Sequence, residues 1–359
     1  MRSRPKGSSS VVSKTATWIA VVVLWVLTMV LPSFVAQAVA QDAAPYIRMG
    51  SGAREMALGN AMAADRSGFS GGMYNPALAA LVAEQRLEGT RAAMAFDRRL
   101  DVINYSTGLP PRAGVFMSLI HAGVDGIDGR DRNGFHTETI STSAYAVQLG
   151  FGIRLSSRLA AGIGLQVFRS ELYETMPSVK TIALDIGVNY AVSEQLAIGL
   201  VIDDALGRFT WDSSGLYGSD GRQSTDVFPR RVRLGMHWDV LWGSVYGEVE
   251  QRLSTRSYQV DRLEVLSGRP TRFTDETTLR QVDVLLRAGI DVRLTDFLHL
   301  RTGVDQLPLK THYVGVRPAV GFGLVQPVGN VLLRMDYATI REPYVGSFAH
   351  VVSLEVVLP

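Results

Sequence analysis

Residues 281–294, QVDVLLRAGIDVRL, constrain this chain more than any other stretch. Val282, Val284, Leu286, Ala288, Ile290, Val292 and Leu294 share one parity. Gln281, Asp283, Arg287, Gly289, Asp291 and Arg293 share the other, with Leu285 the one large apolar residue among them. A helix would scatter these charges around its circumference, whereas an extended strand points successive side chains to opposite faces. The segment therefore has an apolar face and a charged face, and it is longer than the usual globular strand of about five or six residues.

The pattern recurs. In PRRVRLGMHWDVL, Val232, Leu234, Met236, Trp238 and Val240 oppose Arg231, Arg233, Gly235, His237 and Asp239; in TIALDIGVNY, Ile182, Leu184, Ile186, Val188 and Tyr190 oppose Thr181, Ala183, Asp185, Gly187 and Asn189. VGVRPAVGFGLV sets Val314, Val316, Pro318, Val320, Phe322 and Leu324 against Gly315, Arg317, Ala319, Gly321 and Gly323. About ten alternating residues is the length a tilted strand needs to cross a bilayer, and a lipid face with a polar lumen accounts for both parities.

From residue 86 onward there are fourteen candidate strands, joined by links that alternate in length. Short links fall near 109–111, 155–158, 192–195, 240–243, 294–296 and 326–329; longer ones fall near 122–141, 169–178, 206–227, 253–279, 306–313 and 340–346, with a brief one at 97–100. A soluble β-sandwich also alternates polar and apolar residues, but its links need not alternate in length. The expected fold is all-β: a transmembrane antiparallel barrel of about fourteen strands, with short periplasmic turns, long external links and both termini periplasmic. Closure leaves no unpaired edge in lipid.

The start of the chain reads differently. Arg2, Arg4, Lys6 and Lys14 precede the apolar run ATWIAVVVLWVLTMVL, and Ala38-Val39-Ala40 follows. This is the pattern of a secretory signal over residues 1–40, cleaved before Gln41. Losing four basic and no acidic groups turns the net charge from +2 to −2, which gives nucleic acid no basic footprint to bind. With no cysteine, stability has to come from backbone pairing and burial. Residues 41–85 lack the period of two, and Asn75-Pro76 reads as an N-cap with proline at the first helical position, predicting a short helix over about Pro76 to Val82. Residues 86–359 form the barrel, and 41–85 an N-terminal plug or hatch. Met49, Met56, Leu58, Met62, Phe69, Met73 and Leu78 would bury the plug against the barrel interior.

YIRMGSGAREMALGNAMAA, Asp65 and MYNPALAAL resemble the N-terminal signature of the PorV/PorQ family of FadL-like outer-membrane barrels, which carries an Asn-Pro-Ala motif here as Asn75, Pro76 and Ala77. The resemblance continues through IALDIGVNYAVSEQLAIGLVIDD, LHLRTGVD and LLRMDYA; it departs at Leu78, where the family has Gly, and at the terminal Leu358-Pro359. It implies a fourteen-stranded outer-membrane barrel with its N-terminal segment in the lumen. It also implies one of two roles: protein secretion of type IX character, with secretion-system proteins or cargo C-terminal sorting domains as partners, or uptake of long hydrophobic molecules such as fatty acids. Outer-membrane lipid is a partner in both.

Other constellations point to less. Asp125, Asp128, Asp131 and Asn133 supply oxygen ligands of the kind calcium prefers, but Arg130 and Arg132 sit among them and the EF-hand spacing is absent, so a solvated external loop and no metal are expected. Gly150-x-Gly152, Gly162-x-Gly164 and Gly321-x-Gly323 complete no nucleotide motif and read as small residues on a crowded inner face. An outer-membrane hydrolase would need a nucleophile beside one of His121, His136, His237, His299, His312 or His350, and no motif pairs them, so no enzyme and no cofactor are expected. Inward parity does collect charges: Asp185, Arg231, Arg233, Glu248, Glu250, Asp283, Arg287, Asp291, Arg293, Arg301, Asp305, Arg334 and Asp336, expected to pair across neighbouring strands. Arginine at outward Val284 or Leu234 should be costly in lipid, and at inward Gly289 tolerable given space.

Overall fold

Period-two alternation carries directly into strand pairing. The computed structural model describes residues 43–67, 71–172, 177–212, 218, 223–266, 269–309, 315–343 and 345–358; the expected signal at 1–40, Phe69 and His312 lie outside them. The strands are β1 Gln85–Ala93, β2 Arg98–Leu109, β3 Ala113–Arg130, β4 His136–Arg154, β5 Leu159–Glu171, β6 Val179–Ala191, β7 Leu196–Asp203, β8 Arg208–Asp212 and β9 Gln223–Val227. They continue as β10 Arg230–Val240, β11 Gly243–Leu266, β12 Arg269–Arg293, β13 Leu298–Pro308, β14 Arg317–Val328, β15 Val331–Arg341 and β16 Phe348–Leu358.

Consecutive strands pair antiparallel from β1 to β7 and from β10 to β16, β7 pairs with β10 across the β8–β9 hairpin, and β1 pairs with β16 to close the ring. Fourteen strands thus form a closed antiparallel barrel, with β8–β9 set into the link between β7 and β10. Closure leaves no ladder edge open to lipid.

Burial confirms which face is which. Outward Ile163, Ile182, Leu234 and Leu354 are 57%, 54%, 53% and 54% exposed, while inward Arg233, Glu248 and Arg287 are buried to 4%, 3% and 5%. That is the inverse of a water-soluble fold, and it is what a lipid-facing wall requires. Among the described residues no helix is long and apolar enough to cross a membrane.

The two ends of the barrel differ. Short turns join β2–β3, β4–β5, β6–β7, β10–β11, β12–β13 and β14–β15 at one end, and the longer links lie at the other. Two links are much shorter than the sequence suggested. Residues 122–141 are mostly strand, with only 131–135 between β3 and β4, and 253–266 and 269–279 belong to β11 and β12, which stay paired to Leu266↔Arg269. The alternation lapses there because beyond the membrane neither face is held to one polarity, yet the backbone ladder needs no apolar face to continue.

The N-terminal segment lies inside the ring. Pro45–Met49 and Pro76–Leu81 are 3-10 helices, and Ala53–Ala57 and Gly71–Tyr74 are single α-helical turns. Ala53–Ala57 packs on β13–β16 and Pro76–Leu81 on β2–β6, so the segment crosses from one wall to the other. The last helix has the expected bounds to within a residue but the tighter 3-10 geometry, which is common in short pieces.

Candidate functional site: the lumen and the segment within it

Asn75 is the pivot of the segment. Its Oδ1 accepts from the Ala77 N–H at 3.0 Å, capping the helix begun by Pro76, and its Nδ2 donates to the carbonyls of Ala63 at 2.6 Å and of Val188 on β6 at 3.1 Å. One fully buried side chain thus ties the helix start, the preceding chain and the wall together.

The wall meets the segment with glycine. A Cβ on Gly114 would strike the Ala79 carbonyl, one on Gly162 the Pro76 backbone, one on Gly187 the Asn75 amide and one on Gly199 the Ala63 carbonyl. On the far side Gly289 and Gly303 lie against the Leu58 and Gly59 backbone. Inward glycines therefore let backbone pack on backbone. Arginine at Gly289, which looked tolerable from parity, has no room because the Leu58 carbonyl occupies the place of the missing side chain.

Apolar side chains fill what remains. Met56, Leu58, Met62 and Leu78 are buried, Met49 and Met73 partly so. Burying each such side chain is worth about 1.5–3 kcal/mol.

Polar contacts from the segment reach the barrel charges. Arg54 donates to Asp65 at 2.8 Å, to Ser67 at 3.0 Å and to the Tyr246 hydroxyl at 2.9 Å. Asn60 donates to Asp305 at 3.1 Å, the Ala63 N–H donates to Glu248 at 3.0 Å, and the Ala53 N–H donates to Ser353 at 2.8 Å. Burial pushes the Glu55 carboxyl up to about 7, against the pull of the Arg54 guanidinium. Burial opposes ionisation of Asp65 too, but Arg54 and His237 outweigh it and hold that carboxyl below its ordinary value.

The inward charges pair in clusters along β7 and β10–β16. Arg287 donates to Asp305 at 2.7 Å and to Glu248 and Glu250 at 2.5 Å each. Arg233 grips Asp203 with two N–H groups at 2.6 and 2.9 Å, and Arg231 reaches Asp204 at 2.9 Å. Arg301 bridges Asp291 at 2.9 Å and Asp336, and Arg334 pairs with Glu355 at 3.2 Å. Gln148 donates to Asp185 at 3.0 Å, and Gln281 to Asp283 at 2.9 Å. Arg293 stands apart, exposed where β12 ends at the short-turn side, and takes no part in the interior. Asp203, Arg252, Arg317 and Glu355 carry as much of this pairing as the residues singled out from sequence, and inward parity on β7, β11, β14 and β16 was the signal that could have found them.

At the long-link end the segment floors a cavity of about 920 Å³. Ala92, Ala122, Ala144 and Val351 give one side an apolar lining, whereas Arg252, Asp283 and Arg317 line the other; Tyr46, Met49 and Met56 close the bottom.

The remaining candidates stay dispersed. Asp125, Asp131 and Asn133 are exposed, and Asp128 pairs with Arg130 and His136 at 2.6 Å each. Among the described residues no group of acids and histidines is placed to hold a metal. His237 stacks on Tyr246 at 4.7 Å, and His299 pairs with Asp291 at 2.9 Å.

No protein-family model matches the sequence, and no curated protein matches it, so the PorV/PorQ resemblance rests on its sequence motifs alone. Solved structures do match in fold. The CymD monoaromatic hydrocarbon channel aligns at TM-score 0.57 and 12% identity over 86% of this chain and 97% of its own. The Pseudomonas putida toluene transporter TodX aligns at 0.56 and 12%, over 86% and 96%. A Pseudomonas aeruginosa FadL homologue aligns at 0.53 and 10%, over 86% and 98%. At these identities the shared property is the fold: a barrel of the FadL type, of nearly the same extent.

Proposed function

We propose that the protein is an outer-membrane channel for hydrophobic small molecules, a transporter and not an enzyme, closed in this conformation by residues 46–82 acting as a plug. The observation that carries this reading is the cavity of about 920 Å³ at the long-link end, part apolar, with the N-terminal segment as its floor. A hydrophobic solute entering this cavity can rest against its apolar side and can go no further while the segment stays against its glycines. The FadL-type fold, shared with proteins described as hydrocarbon channels, supports the same reading. The lumen charges hold the plug through Glu248, Asp305 and Tyr246.

The chain has no cysteine, so a paired substitution gives a clean test. Ala53→Cys with Ser353→Cys would tie the segment to β16 where the Ala53 N–H already meets Ser353. Uptake of a hydrophobic probe such as toluene by cells carrying this variant is expected to fall when the bond forms and to return on reduction. Uptake unchanged by the crosslink would overturn the reading.

A secretion role is the second reading. What supports it is the β11–β12 hairpin, whose strands of 24 and 25 residues are far longer than the roughly 9–11 that span a membrane, offering a surface for a protein partner. Binding of isolated cargo C-terminal domains, lost on shortening that hairpin, would favour it over solute uptake.

A further inference from the structure

Cross-strand register sets Arg91, Asp101, His121, Tyr145, Arg169 and Lys180 opposite one another in turn on β1 through β6. All six point outward, because each alternates with a buried inward residue: Ala92, Leu100, Ile120, Ala146, Phe168 and Val179. On the same outer face Leu119, Leu149, Leu165 and Ile182 are 42%, 48%, 44% and 54% exposed, on the short-turn side of the row. The row is therefore the edge of the apolar band at the long-link end, the level at which lipid headgroups begin.

Along the first three strands the charges cancel. The Asp101 carboxylate lies 3.5 Å from Arg91 and 3.7 Å from His121. On β5 and β6 the arrangement is reversed, since Arg169 and Lys180 are direct cross-strand partners. Like charges so placed repel. Arg169 has Glu171 on its own strand, but Lys180 makes no ion pair among the described residues.

We propose that Arg169 and Lys180 bind the phosphate of an anionic outer-leaflet lipid, whose acyl chains lie along the Leu165 and Ile182 face. A phosphate bridging the two cations turns their repulsion into charge-assisted hydrogen bonds. The apolar band directly adjoining them supplies what a free anion would not use. The inference rests on the membrane reading of the outer face and is independent of what the lumen carries.

The test uses the full chain in phosphatidylcholine nanodiscs, challenged with diphosphoryl lipid A and, separately, with inorganic phosphate. Wild type is expected to retain lipid A in preference to phosphatidylcholine. Arg169→Gln with Lys180→Gln should weaken that retention roughly thirtyfold, as expected for two charges at a headgroup surface. Arg91→Gln and the charge-keeping Lys180→Arg should leave it as it is. Equal retention by the double glutamine variant overturns the proposal, and so does displacement of the lipid by millimolar inorganic phosphate, which would mean a simple anion site. Failure of the wild-type chain to enter any bilayer would overturn the membrane reading itself, an outcome distinct from insertion without lipid preference.

Discussion

Gly199 and Gly89 are both strand glycines, yet they stand on opposite faces. A side chain at Gly199 would meet the Ala63 carbonyl, whereas one at Gly89 would meet nothing within 4 Å. Valine suits a strand at either place on propensity alone. Gly199→Val is therefore expected to displace the lumenal segment, at a cost of about 1–3 kcal/mol for overpacking, and to raise single-channel conductance. Gly89→Val should leave conductance at the wild-type level; equal effects from the two would show that the glycines do not hold the segment. Asn75→Ala removes the helix cap and both carbonyl contacts, so it should cost about 1–2 kcal/mol of local stability, read as faster hydrogen exchange across 76–81 with the barrel amides unchanged.

At the scale of elements, the barrel and the segment depend on each other unequally. The fourteen strands close through their own ladder, so deleting residues 46–82 should leave a folded, heat-modifiable barrel. The same deletion removes the floor of the cavity and the segment's contacts to Glu248 and Asp305, and conductance in planar bilayers is expected to rise. An unchanged conductance would reduce the segment to a tether. The hairpin β11–β12 makes the opposite point about legibility. Its membrane half is legible from QVDVLLRAGIDVRL, but its outer half reads as a loop because nothing outside the bilayer imposes one polarity per face.

For the whole molecule, the outer wall presents apolar side chains and the inner wall is bound together by charge. Arginine at Leu234, exposed at 53% on the outer face, should cost about 2–4 kcal/mol in a folding titration into bilayers if it lies near the midplane. A cost near zero would argue against lipid at that face. The alternating strands and the Asn75 cap follow from the sequence by itself, because each is a local consequence of backbone period or of one residue's hydrogen-bonding capacity. The tertiary structure alone decided which charges meet, why Asp203 and Glu355 belong to the clusters and which glycines face a neighbour. Those facts depend on residues far apart in the chain being brought together by ring closure. A missing Cβ looks the same in a sequence whether the space beside it is open, as at Gly89, or filled by the backbone of Ala63, as at Gly199.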